Sequence, residues 1–472
     1  MNHSLKPRVA IIGGGITGLS AAWELQKNTQ VDITLLEATA HWGGKIVTDL
    51  VPTPDGGQFL IEGGPDSFVS RKPELWALAQ ELGLGEQVVN PGSETRHMYI
   101  LERGRPVAVP LSPVAFLRSD ILSIRGKLRL LAEPFAPARR NDEDESLHAF
   151  ASRRLGTEAA SRFIGPILSG IYNSDATRQS ILTASPVMRE MEKAHGGLVR
   201  GALARGRAKA QARREAQHNG HDLPPSFFTF NRGAQAIVDT LVHKLNGDLR
   251  LNAPVSGLEK QGEAYRITFA NGETLVAQAV ILAVPANQAA QLLRVVGSAA
   301  ANQLTYIEQN HIGTITLAYR TRDLNLPFPL QGLMIPRREQ RAIDAITCPS
   351  AKLRTRAPEA YTLIRAFFGG SRPQLAEMPE IELVRTVRSE LHNLLGITAD
   401  PITYRTYQWL HSFPQTDVGH LNRVEAIEAT LPTGIYLAGN SYRGMGVPDC
   451  VRQGIAAAHQ ALKMILSPIV NV

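Results

Sequence analysis

The sequence predicts an α/β protein whose nucleotide-binding domain is Rossmann-like and discontinuous. Three observations predict it. A strand, a glycine turn and a helix open the chain, strand-rich text returns between residues 249 and 286, and a strand with a second glycine cluster comes near the end. With 472 residues, two or three domains are expected.

The first element lies in RVAIIGGGITGLSAAWEL, residues 8–25. Val9 to Ile12 read as a buried strand, and Gly13, Gly15 and Gly18 form a G-x-G-x-x-G turn into a helix carrying Leu19, Ala22 and Leu25. A second strand, DITLL at 32–36, ends at Glu37. That is about twenty residues past the turn, where an acidic side chain meets a ribose hydroxyl. Gly15 lets the backbone approach a pyrophosphate, which the exposed N–H groups of the helix then face. HWGGKIVTD (41–49) adds Gly43-Gly44-Lys45, and EGGPDSFVSRKP (62–73) adds another glycine pair. A domain for NAD would run straight into a helix and a third strand. These turns instead suit a longer cofactor, and point to FAD.

FFTFNRGAQAIVDTLVHKL (227–245) ends in an amphipathic helix with Ile237, Leu241 and Leu245 on one face. LRLNAPVSGLE (249–259) and YRITFANGETLVAQAVILAVPA (265–286) read as strands, with a hairpin signal at Asn271-Gly272. Ile435 to Ala438 form a last strand before GNSYRGMGVPDC (439–450) and a helix, so the chain returns to its first sheet. Residues 110 to 217 are mostly helical, with NDEDE (141–145) a solvated acidic cap or loop.

Composition sets wide bounds. With 50 Lys+Arg against 43 Asp+Glu, the net charge of +7 suits an anionic small molecule, a nucleic acid or a membrane surface equally. VRGALARGRAKAQARR (199–214) holds six cations and no acid, and reads as a solvated basic segment or a contact for lipid or a partner. Nucleic acid is disfavoured, because no aromatic residues interleave the basic ones. Cys348 and Cys450 are too few for a zinc cage or a disulfide framework and read as free thiols in a reducing compartment. No leader h-region is legible in MNHSLKPRVAIIGGG, and no stretch is long and apolar enough to span a bilayer. A cytoplasmic protein is expected, with peripheral membrane contact open.

The pairing of Gly13–Gly18 and Glu37 with Gly43-Gly44-Lys45 resembles the FAD-binding amine oxidase superfamily. More narrowly, EGGPDSFVSRKP, PILSGIYNSDA, GLMIPRREQRAIDAITC, RAPEAYTLIRAFFGG, YQWLHSFPQTDVGHLNRV and AGNSYRGMGVPDCVRQG resemble oxygen-dependent porphyrinogen oxidases, the bacterial coproporphyrinogen III type above all. Two departures stand out: Asn173-Ser174 where the family commonly has Ala-Gly, and Arg443 at a variable position.

The resemblance implies three parts, an FAD domain, a mixed-sheet substrate domain and a mainly helical domain that contacts membranes in some members. Residues 1–85, 221–297 and 425–472 would form the FAD domain, 86–220 the helical domain with part of the substrate cavity, and 298–424 the substrate domain. It implies noncovalent FAD, with Gly13, Gly14, Gly15, Ile16, Thr17 and Gly18 at the pyrophosphate and Glu37 and Ala38 at the ribose. Gly43, Gly44 and Lys45 follow, Gly64, Pro65, Asp66 and Ser67 flank the ring, and Val255 meets the adenine through its backbone. Trp409, Gly439, Gly446, Val447 and Pro448 lie by the isoalloxazine.

The implied activity is a six-electron oxidation of coproporphyrinogen III to coproporphyrin III in haem synthesis, with hydride passing to flavin N5 and oxygen becoming hydrogen peroxide. No side chain is assigned as catalytic, and no Ser-His-Asp set or His/Cys metal spacing is legible. Substrate propionates require cations, for which Arg71 and Lys72 are candidates, and His311 is a candidate for the pocket wall. Asp449 reads as a cap of the last helix and Cys450 as a small buried hydrophobe. Protoporphyrinogen IX as substrate, an amine oxidase or carotenoid desaturase, and a flavin-containing porphyrin carrier without turnover stay open, as does the oligomeric state.

Overall fold

In the computed structural model, residues 6–91, 97–110, 113–218 and 224–467 are described. The first residues of the stretch read above for a leader lie outside them. Five parallel strands form the central sheet, in the order Asp248–Arg250, Asp32–Leu36, Arg8–Ile12, Ala279–Leu282, Ile435–Leu437. Three widely separated stretches of chain therefore build one sheet, as the sequence predicts. Its strands are apolar on both sides because both faces are covered. Val9, Ile11 and Leu35 pack against the helices Ile16–Gln26, Gln235–Lys244 and Val447–Leu466. Ala10, Ile12, Val280 and Leu282 face the antiparallel meander Val255–Gln261, Ala264–Phe269, Thr274–Ala277 and the helices Ala286–Leu292 and Ser298–Leu304.

The predicted hairpin turns at Gly272, which has a φ of +88°. The single strand read across 249–259 is instead two. Asn252 takes a left-handed φ of 51° and Pro254 follows, so the chain leaves the parallel sheet after Arg250 and restarts at Val255. The helix Gln235–Lys244 buries Ile237, Val238 and Leu241, with Leu245 just past its end.

A seven-stranded mixed sheet forms the second unit, in the order Thr403–Pro414, Gln309–Arg320, Tyr361–Phe368, Ala345–Thr347, Gly332–Met334, Met98–Glu102, Arg105–Ala108. Its last two strands come from a hairpin that the expected boundaries assign to the helical unit. Arg103 and Gly104 both take positive φ at the turn, and Met98–Ile100 pair in parallel with Gly332–Met334. The helix His420–Ala429, which the expected boundary at 424 would cut, packs Val424 and Ile427 into the core of the nucleotide-binding unit.

Helices dominate between 113 and 218, around Leu147, Phe150, Leu155 and Ile181. The acidic run is less solvated than expected. Asp142 and Glu143 are exposed, but Asp144 accepts from Ser180 Oγ (2.9 Å) and Gly419 N (2.8 Å), and Glu145 pairs with Arg153 (2.7 Å). Thus Asp144 pins the helical unit to the chain leading back to the first sheet.

Candidate active site between two glycine turns and an apolar cavity

The groove lies at the carboxyl end of Arg8–Ile12, where chain order reverses across the parallel sheet, the usual ligand position in such folds. The helix Ile16–Gln26 starts there with no side-chain cap and no acidic residue in its first turn, so its leading N–H groups are left for an anion. A Cβ on Gly18 would collide with the Gly13 carbonyl oxygen, so Gly18 is required by the protein itself. A Cβ on Gly15 would meet no atom within 4 Å, so the space beside it is kept for something else. The second turn folds onto the first, with Gly43 N donating to Gly14 O at 2.9 Å and a bridge between Gly15 and Gly43. Ile16 and Thr17 are buried under this contact, and Ala38 is exposed.

Glu37 is held by the Gly14 N–H (2.8 Å) and by the Thr39 N–H and hydroxyl (both 2.8 Å). Ala253 N donates to Glu37 O (2.9 Å) and Asn252 N to Thr39 O (2.9 Å), which brings half-buried Val255 to the same end of the groove. Beyond the second turn, Gly64 lies so close over the Lys45 carbonyl that no side chain would fit there. Lys45 has no carboxylate within ion-pair distance among the described residues, and burial lowers its pKa. A buried amine without an acid beside it fits an anionic cofactor edge.

The C-terminal glycine turn arrives from the opposite side. The helix Val447–Leu466 crosses Ile16–Gln26 at Gly454, where a Cβ would strike the Thr17 carbonyl oxygen. Gly439 takes a φ of +137° with open space beside it. Asn440 Nδ2 donates to Ser412 O (3.1 Å), tying this turn to the strand that carries Trp409. Trp409 Nε1 in turn donates to Gly63 O (3.3 Å), and its ring stacks parallel to Tyr407, 6.4 Å between centroids. Asp449 caps the last helix by accepting from Gly446 N (3.2 Å), next to Val447 and buried Pro448. Cys450 is buried, and burial pushes its thiol up to about 11.

An apolar cavity of about 260 Å³ lies near this end of the groove. It lies between the helical unit (Ala160, Gly165, Pro166, Gly170) and the seven-stranded sheet (Ile312, Ile335, Phe367, Phe368). Ile312 pairs with Trp409, and two residues along the same strand Thr314 Oγ1 donates to Gly63 O (3.1 Å). Cavity and groove therefore share one strand.

The two cations expected to serve this cavity do not line it. Lys72 Nζ pairs with Asp449 Oδ2 at 2.5 Å, and Arg71 is exposed on the same loop. Arg337 and Arg338 line it instead. Arg337 donates to Gly370 O (3.1 Å) and has no carboxylate within ion-pair distance among the described residues. Arg338 donates to Ser161 O (2.6 Å) and pairs with Glu102. The signal was in the sequence: GLMIPRRE puts two adjacent arginines directly after an apolar strand.

His311 sits at the rim rather than in the lining, and burial lowers its pKa, helped by His411. Its Nε2 is 3.6 Å from Glu377 Oε1, and its ring is 4.3 Å from that of His411. The fold thus gathers two histidines and a carboxylate that sequence spacing did not suggest. Yet His311 Nδ1 accepts the His411 backbone N–H (3.3 Å), whereas a metal-bound imidazole donates from its second nitrogen. The departures noted in the sequence also find places. Asn173 adopts a left-handed φ of 44° and donates from Nδ2 to His311 O (2.7 Å), while Arg443 pairs with Glu428 at the surface.

The groove fits a long dinucleotide: an open cradle at Gly15, an uncapped helix start, an unpaired lysine and a second glycine turn facing the first. Comparison with known proteins agrees. The model of the flavin containing amine oxidoreductase family matches residues 16–462. The chain is similar to coproporphyrinogen III oxidase of Bacillus subtilis (strain 168), 30% identical over 98% of this chain and 99% of that one. It is 31% identical to coproporphyrinogen III oxidase of Propionibacterium freudenreichii subsp. freudenreichii, over 97% and 91%. A crystal structure from Exiguobacterium sp. 255-15, provisionally named a protoporphyrinogen oxidase, superposes with a TM-score of 0.83 at 28% identity, covering 96% of this chain and 98% of that one. The cofactor is FAD, and the chain belongs to the flavin-containing amine oxidoreductase family.

Proposed function

We propose that this protein is an FAD-dependent porphyrinogen oxidase that converts coproporphyrinogen III to coproporphyrin III, with oxygen as the acceptor. The observation that carries this reading is the apolar cavity with arginines at its mouth, joined by one strand to the flavin groove. Similarity to two proteins named coproporphyrinogen III oxidase favours that substrate over protoporphyrinogen IX.

Bound FAD supplies the two-electron acceptor, three turnovers removing six electrons. The protein's share is placement. Ile312, Ile335 and Phe368 give the macrocycle a dry wall, and Phe368 is held by Gly313, whose missing side chain leaves room for its ring. Arg337 and Arg338 meet propionates at the mouth, so that the reacting carbon faces the Trp409 end of the cavity. Gly13–Gly18, Glu37, Gly43–Lys45 and Val255 hold the dinucleotide half, and Gly64–Ser67, Trp409, Gly439 and Gly446–Pro448 the ring half.

Offered both porphyrinogens in air, the purified protein should give porphyrin fluorescence faster from coproporphyrinogen III. Equal rates would remove the substrate preference, and silence with both would remove the assignment.

Location follows a separate observation. No helix among the described residues is long and apolar enough to cross a membrane. The helical unit nevertheless exposes Ile124 (77%), Leu128, Leu131 and Phe135 (84%) beside Val199 and Leu203 of the basic helix Leu198–His218. Glu133 accepts from Leu198 N (2.7 Å) and Val199 N (3.0 Å), which joins the two segments into one surface. Apolar residues flanked by Arg125, Arg200 and Arg205 suit an anionic lipid surface. The protein should float with vesicles containing anionic lipid, and Phe135→Ser with Ile124→Ser should lower the bound fraction about tenfold. Equal flotation of wild type and variant would dispose of this contact.

A further inference from the structure

Beneath the loop Gly63–Ser67 lies a closed space lined by Glu62, Asp66, Thr316, Lys352, Arg356 and Arg365. Three cations there face two carboxylates. Lys352 Nζ pairs with Asp66 (2.9 Å) and donates to Ser67 Oγ (2.9 Å), and Arg356 pairs with Glu62 (3.1 Å). Arg365 is left over. It is 2% exposed, has no carboxylate within ion-pair distance among the described residues, and its Nε has no hydrogen-bond partner. Its Nη2 donates to Gly64 O at 2.7 Å, so its charge is delivered to this loop.

Asp66 and Glu62 act on Arg365 at longer range, but three cations against two carboxylates leave the buried cluster one positive charge in excess, which is costly unless it serves an anion. The loop sits on Lys45, under Trp409, between the two glycine turns, at the ring end of the groove. Hydride transfer brings two electrons and one proton, leaving the isoalloxazine one unit more negative. We infer that Arg365, with the Asp66–Lys352 pair, forms a positioning cluster that raises the flavin's reduction potential by presenting excess positive charge through the Gly64–Ser67 loop. This rests on the placement of the FAD ring beside that loop.

The test is a reductive titration of purified holoenzyme with dithionite against a reference dye, which needs no porphyrinogen. Arg365→Met and Lys352→Met should each shift the flavin–dye equilibrium about tenfold toward oxidised flavin. Asp66→Asn should shift it in the opposite direction, and Asp66→Asn with Lys352→Met should return it close to wild type. Shifts of the same sign in all variants, or none beyond about twofold, would overturn the inference. Should Arg365→Met fail to fold, the opposed signs of Lys352→Met and Asp66→Asn decide alone. A normal titration pattern in a protein that oxidises neither porphyrinogen would leave this inference standing and remove only the substrate reading.

Discussion

Gly15→Val should yield a folded protein that has lost its yellow colour. Gly15 has a φ of −72° and a ψ of 176°, an extended conformation that valine adopts without strain. A Cβ there meets no protein atom within 4 Å, so the substitution fills only the cradle beside the first helix turn. Displacing a pyrophosphate from one or two of those N–H groups forfeits charge-assisted hydrogen bonds of about 1.5–3 kcal/mol each. Roughly hundredfold weaker FAD binding follows, since 1.4 kcal/mol is a factor of ten. Absorbance titration with FAD measures the loss, and circular dichroism on the apoprotein should find the melting temperature nearly unchanged. Gly18→Val is the contrast. It drives a side chain into the Gly13 carbonyl and should cost fold and cofactor together. FAD binding by Gly15→Val at wild-type affinity would mean that the pyrophosphate lies elsewhere.

Arg337→Met should raise KM for coproporphyrinogen III about tenfold while leaving kcat nearly unchanged, because a propionate contact far from the reacting carbon is made equally in ground and transition states. Arg337 makes no direct ion pair among the described residues, and Asp175, the lining carboxylate it acts on at longer range, keeps its hydrogen bonds to Thr177 when Arg337 is lost. Arg338 is already engaged by Glu102 and Ser161 O, and its replacement should also loosen the contact between the helical unit and the sheet. Together the two substitutions should raise KM about a hundredfold. Added salt should raise KM in the wild type and much less in the double variant. A fall in kcat with KM unchanged would take these arginines out of substrate binding.

The strand–turn–helix geometry at the nucleotide end of the candidate site was legible because its requirements are local. A glycine beside an approaching phosphate and an acid after the second strand have fixed spacing in the chain, and Gly13 to Glu37 supply both within one strand–helix–strand unit. The split at Asn252 was missed because its left-handed backbone is set by hydrogen bonds to Thr39 and Glu37, over two hundred residues earlier. The candidate cations Arg71 and Lys72 lie away from the cavity for a related reason. Lys72 follows the ring-flanking loop in sequence, yet Asp449, brought in by the last helix, takes its charge. Arg337 and Arg338 follow an apolar strand in GLMIPRRE, a visible signal, but nothing local in the sequence says that this strand borders a cavity. The hairpin at 98–108 was placed in the wrong unit because a hairpin's sequence records its turn and not the sheet it joins.

The central sheet, drawn from residues 8–36, 248–282 and 435–437, has a bearing on how the enzyme is made. On the ribosome the first glycine turn emerges well before the helix that locks onto it through Gly454. Until that helix and the strand before it are made, the edge beside Ala279–Leu282 is unpaired and the first glycine turn lacks its partner. Interrupting the chain between the three stretches would therefore divide one nucleotide-binding unit rather than separate two.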